Sequence, residues 1–293
     1  MDENKKILEV AKEAARKGGE VILKYFNEEV EFLQKEDKTF VSIADEESEK
    51  EIRKIILKIF PDHVINGEEK GKIGTGNIIW HIDPLDGTSN FKNKIPIFCV
   101  SIGVEREGEF IIGVIYNPIT NELFSALEGG GAFVNEKKIN VNKEDISNGI
   151  TVIDASFSGE KGRIKVNLQK EIIKISPRLR MIGSNALQLA EISKGTYVCS
   201  VSDHIDTYDF AAGIVIVKEA GGIVTDQFGD KPSTNSKIII ASNKRDNHEK
   251  MIQLILKYYP HPDKEYNLKN YKVCILAGGI GSRMGEFSKT FNK

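Results

Sequence analysis

The chain has 293 residues, 29% of them charged and 40% hydrophobic, with a formal net charge of −2. That length accommodates one large domain or two smaller ones. So balanced a charge gives no reason to expect nucleic acid or an anionic membrane as partner, and no apolar run approaches the roughly 20 residues of a membrane-spanning helix. The start, Met1-Asp2-Glu3-Asn4-Lys5-Lys6, lacks a signal-peptide apolar core, which makes the cytoplasm the expected setting. Cys99, Cys199 and Cys274 are too sparse for a disulfide framework. Cys99, in Ile97-Phe98-Cys99-Val100, reads as a buried small hydrophobe. The histidines show no zinc-ligand spacing.

Ile7, Val10, Ala14, Ala15, Gly18, Val21, Ile22 and Tyr25 recur at helical spacing and predict a first helix over about 3–26. Residues 28–33 read as a short strand or a turn. Ser42 precedes a second helix over 43–60, with Asp45 and Glu46 in its first turn and Pro61-Asp62 at its end. Strands follow at about 63–66 and 77–82. A β-rich block comes next, with strands at 98–105 and 110–116 around Arg106-Glu107-Gly108-Glu109, a hairpin signal. Strands at 122–127 and 132–134 flank Gly129-Gly130-Gly131, which reads as a turn, since no Gly-Lys-Ser/Thr follows. A strand at 150–154 opens a second block. It continues with helix 161–175, strand 179–182, helix 184–194, strands 197–200, 223–226 and 237–241, and helix 245–258. An apolar helix runs from Asp209 to Val217 between them. Helices and antiparallel strands in two blocks give an α+β, layered architecture.

Three acidic groupings carry the chemistry. In Trp80-His81-Ile82-Asp83-Pro84-Leu85-Asp86-Gly87-Thr88-Ser89-Asn90-Phe91, two carboxylates sit three residues apart around a proline. Asp83 is expected where a strand ends, because Pro84 stops the ladder. Gly87 lets backbone approach a ligand, and Thr88 is expected to cap a helix whose N-terminus attracts an anion. Two hard carboxylates beside an anion cradle suit Mg²⁺ and phosphate. An isolated D-x-x-D is ordinarily a capped turn, but Gly67-Glu68-Glu69 and Tyr208-Asp209-Phe210-Ala211-Ala212-Gly213 add further acids.

Together these blocks, with Gly213 to Gly222, resemble the inositol monophosphatase family. That family lies within the Mg²⁺-dependent, lithium-sensitive phosphatase superfamily that includes fructose-1,6-bisphosphatase. The resemblance spans most of residues 1–258 and implies the αβαβα sugar-phosphatase fold, with metals between its halves. It implies two or three Mg²⁺ per site, held by Glu68, Asp83, Asp86, Asp209 and the Leu85 carbonyl, with Asp83 bridging. Thr88 would orient the attacking water, with Asp45 and Glu68 near its proton. Asp86 and the Gly87 and Thr88 backbone would meet the phosphate. Ser184 and Asn185, in Gly183-Ser184-Asn185, match a polyol-contacting turn. Ser202 stands where animal inositol phosphatases carry a glutamate for sugar hydroxyls, with Asp203 and Asp206 as neighbouring polar groups. Arg178 and Arg180, with Arg163 and Lys165, are candidates for a second phosphate, or else ordinary solvated cations. The implied activity is hydrolysis of inositol 1-phosphate and/or fructose 1,6-bisphosphate, by a homodimer.

Residues 259–270 read as a linker. Residues 271–293, Tyr271-Lys272-Val273-Cys274-Ile275-Leu276-Ala277-Gly278-Gly279-Ile280-Gly281-Ser282-Arg283-Met284-Gly285 and beyond, resemble the opening of sugar-1-phosphate nucleotidyltransferases. That implies the start of a second domain, cut short, which lacks a nucleotide pocket here. The alternative function follows from it: the phosphatase part of a bifunctional phosphatase/nucleotidyltransferase, acting on another sugar phosphate or on a nucleotide phosphate such as NADP.

Overall fold

The computed structural model describes residues 3–28, 30–34, 40–154 and 159–259. Residues 260–293, with nearly all of the expected linker and the nucleotidyltransferase-like segment, lie outside the described residues. In chain order the elements begin with α1 (Glu3–Phe26), β1 (Phe32–Gln34), β2 (Phe40–Ser42), α2 (Ile43–Ile59), β3 (Val64–Gly67), β4 (Gly71–Ile73), β5 (Ile78–Asp86) and α3 (Thr88–Lys92). Next come β6 (Cys99–Arg106), β7 (Glu109–Asn117), β8 (Glu122–Leu127), β9 (Gly131–Val134), β10 (Lys137–Ile139) and β11 (Thr151–Asp154). The second half holds α4 (Gly159–Ile175), β12 (Leu179–Arg180), α5 (Asn185–Ser193), β13 (Cys199–Asp203), α6 (Thr207–Glu219), β14 (Ile223–Asp226), β15 (Ile238–Ser242) and α7 (Arg245–Tyr258).

Five layers stack as αβαβα. The apolar faces of α1 and α2 (Ile7, Ala14, Ile22, Ile52, Ile56) pack on Trp80 and Ile82 of an eight-stranded sheet, ordered β10-β9-β8-β7-β6-β5-β3-β4. The other face of that sheet meets α5 and α6 through Phe124, Leu189, Phe210 and Ile216. A five-stranded sheet, ordered β12-β11-β13-β15-β14, follows. Its far face packs on α4 and α7 through Leu168, Val201, Ile240, Met251 and Ile255. The sheets are not purely antiparallel as expected: β3 pairs parallel with β5, and β11 pairs parallel with both β12 and β13. The second pair of contacts follows from α4 and α5, whose crossovers return the chain to the same end of the sheet.

α6 occupies the central layer. It is buried along nearly its whole circumference, from Thr207 through Val217, as an all-round apolar helix must be. Gly103 of β6 and Gly113 of β7 admit it: a Cβ at either position would collide with Ala211 or Ala212. The Gly129-Gly130-Gly131 turn is closed by protein, since the Glu219 carboxylate accepts from the Gly129 and Gly131 N–H groups at 2.8 and 2.7 Å.

Two local expectations change. β5 does not stop at Asp83 but runs through Pro84 to Asp86. Asp83 pairs with Ser101 and Asp86 with Cys99, so β5 carries one residue more than β6 in this interval. Proline is tolerated in a sheet at such a bulge. The consequence is functional: in a regular strand, residues three apart face opposite sides, and the extra residue returns Asp86 to the side of Asp83. Thr88 is not the cap of α3 but its first residue. The cap position is Gly87, in the left-handed region at φ 97°, where a glycine carries no Cβ penalty.

Candidate active site

β5, α2 and α6 converge on one acidic centre. Asp83, Asp86 and Asp209 each offer an oxygen, and these lie within 4.8 Å of one another. Asp83 Oδ1 accepts from the Leu85 N–H at 3.0 Å, closing the bulge on itself. Asp86 is held from the second half of the chain. The Ser184 hydroxyl donates to Oδ2, as do the Ala186 N–H at 2.9 Å and the Cys99 thiol at 3.5 Å. The Asn185 N–H donates to Oδ1 at 3.0 Å. Ser184 is also the N-cap of α5, so the α5 start and the β5 end are built around one carboxylate. Asp209 is the third residue of α6, and its Oδ2 accepts from the Asp206 N–H at 2.6 Å in a capping box.

Asp45 stands at the start of α2, fully buried. Its Oδ2 accepts from the Ser42 N–H at 2.8 Å and the Ser42 hydroxyl at 2.7 Å. The Thr88 hydroxyl lies 3.4 Å from Asp45 Oδ1 and 3.1 Å from the Leu85 carbonyl. Glu68 follows β3, with its N–H donating to the Ile82 carbonyl at 3.0 Å. Sequence reasoning missed the groups that hold this frame. Ser48 donates to the Pro84 carbonyl at 3.1 Å, Ser101 to the Tyr208 carbonyl at 3.1 Å, and Asn90 to the Ile97 and Ile182 carbonyls at 2.8 and 2.7 Å. Asn90 lay inside the quoted motif, and its amide was the available signal. The serines had none.

The electrostatics is that of a site suited to a cation. Burial pushes Asp83 well above the usual carboxylate range, and the charges of Glu68, Asp86 and Asp209 push further. Asp209 rises well above it too, first through burial and then through Asp86 and Glu68. Asp86 is raised by burial, against the pull of its Ser184, Ala186, Asn185 and Cys99 hydrogen bonds. Burial carries Asp45 to about 6, with Glu68 adding to the rise and the Ser42 hydrogen bonds opposing it. Acids that repel one another at such close range are accommodated by a bound cation. The donors are all oxygen, which fits a hard divalent ion.

A family model for the inositol monophosphatase family matches residues 3–258. The chain belongs to that family. It is a phosphatase. It is 38% identical over 268 residues, 88% of this chain and 98% of the relative, to a fructose-1,6-bisphosphatase/inositol-1-monophosphatase of Aquifex aeolicus. It is 39% identical over 231 residues, 76% of this chain and 83% of the relative, to the Nus factor SuhB of Xylella fastidiosa. Among solved structures it is similar to the extragenic suppressor protein suhB of Bartonella henselae. That likeness has a TM-score of 0.82 at 32% identity and covers 86% of this chain and 98% of that one.

The remaining expected residues of this phosphatase are placed as follows. Asn185 starts α5 beside Asp86, and its buried Oδ1 has no hydrogen-bond partner. The Ser202 hydroxyl on β13 is likewise buried without one. Asp203 and Asp206 are engaged elsewhere. Asp203 pairs with Lys165 at 2.9 Å and accepts from the Tyr259 hydroxyl at 3.3 Å. Asp206 caps α6 and pairs with Lys237. Lys165 is itself buried in that pair, so it offers no solvated cation for a second phosphate. Arg178 donates to the Asn148 carbonyl at 2.9 Å and Arg180 to the Leu179 carbonyl at 2.9 Å, both from exposed positions. Arg163 lies outside the described side chains.

Proposed function

We propose that this phosphatase hydrolyses phosphomonoesters of polyols and sugars with Mg²⁺ bound, inositol 1-phosphate and fructose 1,6-bisphosphate being its substrates. The observation that carries the reading is the Asp83, Asp86 and Asp209 cluster, all within 4.8 Å, with the Thr88–Asp45 pair beside it. Glu68, Asp83, Asp86, Asp209 and the Leu85 carbonyl would hold two or three ions. Bound Mg²⁺ supplies charge neutralisation at the phosphoryl oxygens and lowers the pKa of water.

The chain's own groups then have defined tasks. The Thr88 hydroxyl, set between the Leu85 carbonyl and Asp45, orients a water for in-line attack. Asp45, raised to about 6 by burial, is a carboxylate at neutral pH that is basic enough to receive that water's proton through Thr88. Glu68 stands with it. The Gly87 and Thr88 N–H groups at the start of α3 meet the phosphate. The unpartnered Asn185 Oδ1 supports a substrate hydroxyl as its partner, since a buried acceptor left alone is costly. The reaction needs no phosphoenzyme.

The Aquifex aeolicus relative is named for both activities, which supports both substrates here. Phosphate release from inositol 1-phosphate, fructose 1,6-bisphosphate, NADP and 3′-phosphoadenosine 5′-phosphate, with and without Mg²⁺, tests this. Turnover of the first two only with Mg²⁺ is expected, and a preference for either nucleotide overturns the assignment. If Arg178 or Arg180 meets the second phosphate, alanine there raises KM for fructose 1,6-bisphosphate and spares the monophosphate. The expected loss is roughly 1.5–3 kcal/mol. Equal effects on both substrates make these arginines surface cations.

A homodimer and a cytoplasmic setting belong to the same proposal. The first rests on the family resemblance. The second rests on Cys99 and Cys199, which are free and buried, as expected of a reducing compartment. Residues 1–258 form the phosphatase domain in this reading, so a chain ending at residue 260 keeps turnover and thermal midpoint. A substantial loss of either would assign the tail to the phosphatase.

A further inference from the structure

α2 carries a second acid one turn beyond Asp45. Glu49 is 0% exposed, and its carboxylate faces the turn that carries Glu68. Its Oε2 accepts from the Glu69 N–H at 2.7 Å and its Oε1 from the Lys70 N–H at 3.1 Å. Oε1 also accepts from Arg53 Nε at 2.6 Å. Arg53 completes the grip by donating from Nη2 to the Gly71 carbonyl at 2.6 Å. Two side chains of one helix therefore hold three successive residues, 69, 70 and 71. Glu68 immediately precedes them, with its own N–H on the Ile82 carbonyl of β5. On its other side Gly67 leaves room for the brace, because a Cβ there would overlap the Glu49 carboxylate and the Arg53 guanidinium.

Stability alone does not call for such an arrangement. A buried ion pair is often no more stabilising than well-packed apolar side chains of the same volume. What the pair provides is direction: each carboxylate oxygen is committed to a particular backbone N–H. The turn it fixes adjoins the residue that must approach the acidic cluster against repulsion from Asp45, Asp83 and Asp209, each of which Glu68 raises. We propose that Glu49, backed by Arg53, is a positioning residue that presets Glu68 in the metal centre before a cation arrives. The proposal rests on the reading above, in which Glu68 is a metal ligand.

Calorimetric titration of the full chain with Mg²⁺, without substrate, reads the effect apart from catalysis. Glu49→Gln keeps the side-chain size but replaces one acceptor oxygen by a donor, which opposes a backbone N–H. We expect Mg²⁺ affinity to fall about 10-fold, the low end of the loss caused by removing a direct outer partner of a ligand, since Glu49 acts on Glu68 through the adjoining turn. Saturating Mg²⁺ should then restore most of kcat, with KM for the phosphomonoester near wild type. A folded Glu49→Gln chain that binds Mg²⁺ as tightly as wild type overturns the brace. If Glu49→Gln does not fold, Arg53→Lys carries the test: it keeps the charge but cannot reach both Glu49 and Gly71 as the planar fork does. A smaller loss of affinity is expected there, and no loss overturns the proposal. A wild-type chain that binds no Mg²⁺ overturns the metal-centre reading itself, and the brace with it.

Discussion

Asp83→Asn or Asp209→Asn should lower Mg²⁺-dependent turnover by at least about 100-fold, or roughly 2.7 kcal/mol of transition-state stabilisation. Asparagine is the informative substitution because it keeps the shape. At Asp83 its amide oxygen can still accept from the Leu85 N–H that closes the bulge. At Asp209 it can still accept from the Asp206 N–H that caps α6. The fold is thereby spared and the loss is one of charge, within a cluster where each ligand oxygen is within 4.8 Å of the next. Asp83 is the more exacting test, since Glu68, Asp86 and Asp209 all act on it. Steady-state kcat/KM with a saturating substrate series and a Mg²⁺ titration measures the effect. Full activity in excess EDTA, or a near-wild-type Asp83→Asn enzyme, would sink the two-metal mechanism.

The same substitution should make the metal-free protein more stable. Asp45 is raised to about 6, and Asp83 and Asp209 are raised well above the usual range. The folded state therefore binds these protons more tightly than the unfolded chain. The stability they contribute is fully present below the unfolded value. It is lost as pH rises through about 6 for Asp45, and through the raised values of Asp83 and Asp209. His248, which burial pushes down to about 4, acts the other way, but only below its unfolded value of about 6.5. Above about pH 6.5, where His248 no longer contributes, the acidic cluster dominates. In EDTA the thermal midpoint of the wild type should fall across that window, and Mg²⁺ should restore it by binding the native state. Asp83→Asn, with one repelling charge fewer, should melt at least about 2 °C above wild type in EDTA once the pH is high enough to ionise Asp83. Wild type melting as high as Asp83→Asn throughout would show that the cluster is not strained without a cation.

Long periodic or strongly apolar segments were legible in the sequence. α1, with Ile7, Val10, Ala14 and Ile22 on one face, and α7 match their predicted spans, and β8 and β14 coincide with theirs. The three-residue strands β4 and β10 were not seen, because Gly71-Lys72-Ile73 and Lys137-Lys138-Ile139 carry no alternation for a core to select. The acids of the centre were legible as residue types in a motif. Their meeting was expected only through the family resemblance and not from local rules, because it depends on the bulge at Pro84, which sequence rules read as the end of a strand. The Asp86 partners Ser184, Asn185 and Ala186 come from the cap and first turn of α5, far along the chain. Glu49 was invisible for the opposite reason. A glutamate four residues before an arginine on a helix normally marks a solvated surface pair, and only the fold turns this one inward.

Asp83 and Asp86 belong to the first sheet, whereas Asp209 rides on α6, between the two sheets. A chain emerging from the ribosome can complete β3 to β10 and still own only part of the centre. The third acid of the cluster arrives when α6 has entered over Gly103 and Gly113, a contact between segments far apart in sequence and therefore late in assembly. The acidic centre is thus assembled only when the molecule is nearly whole.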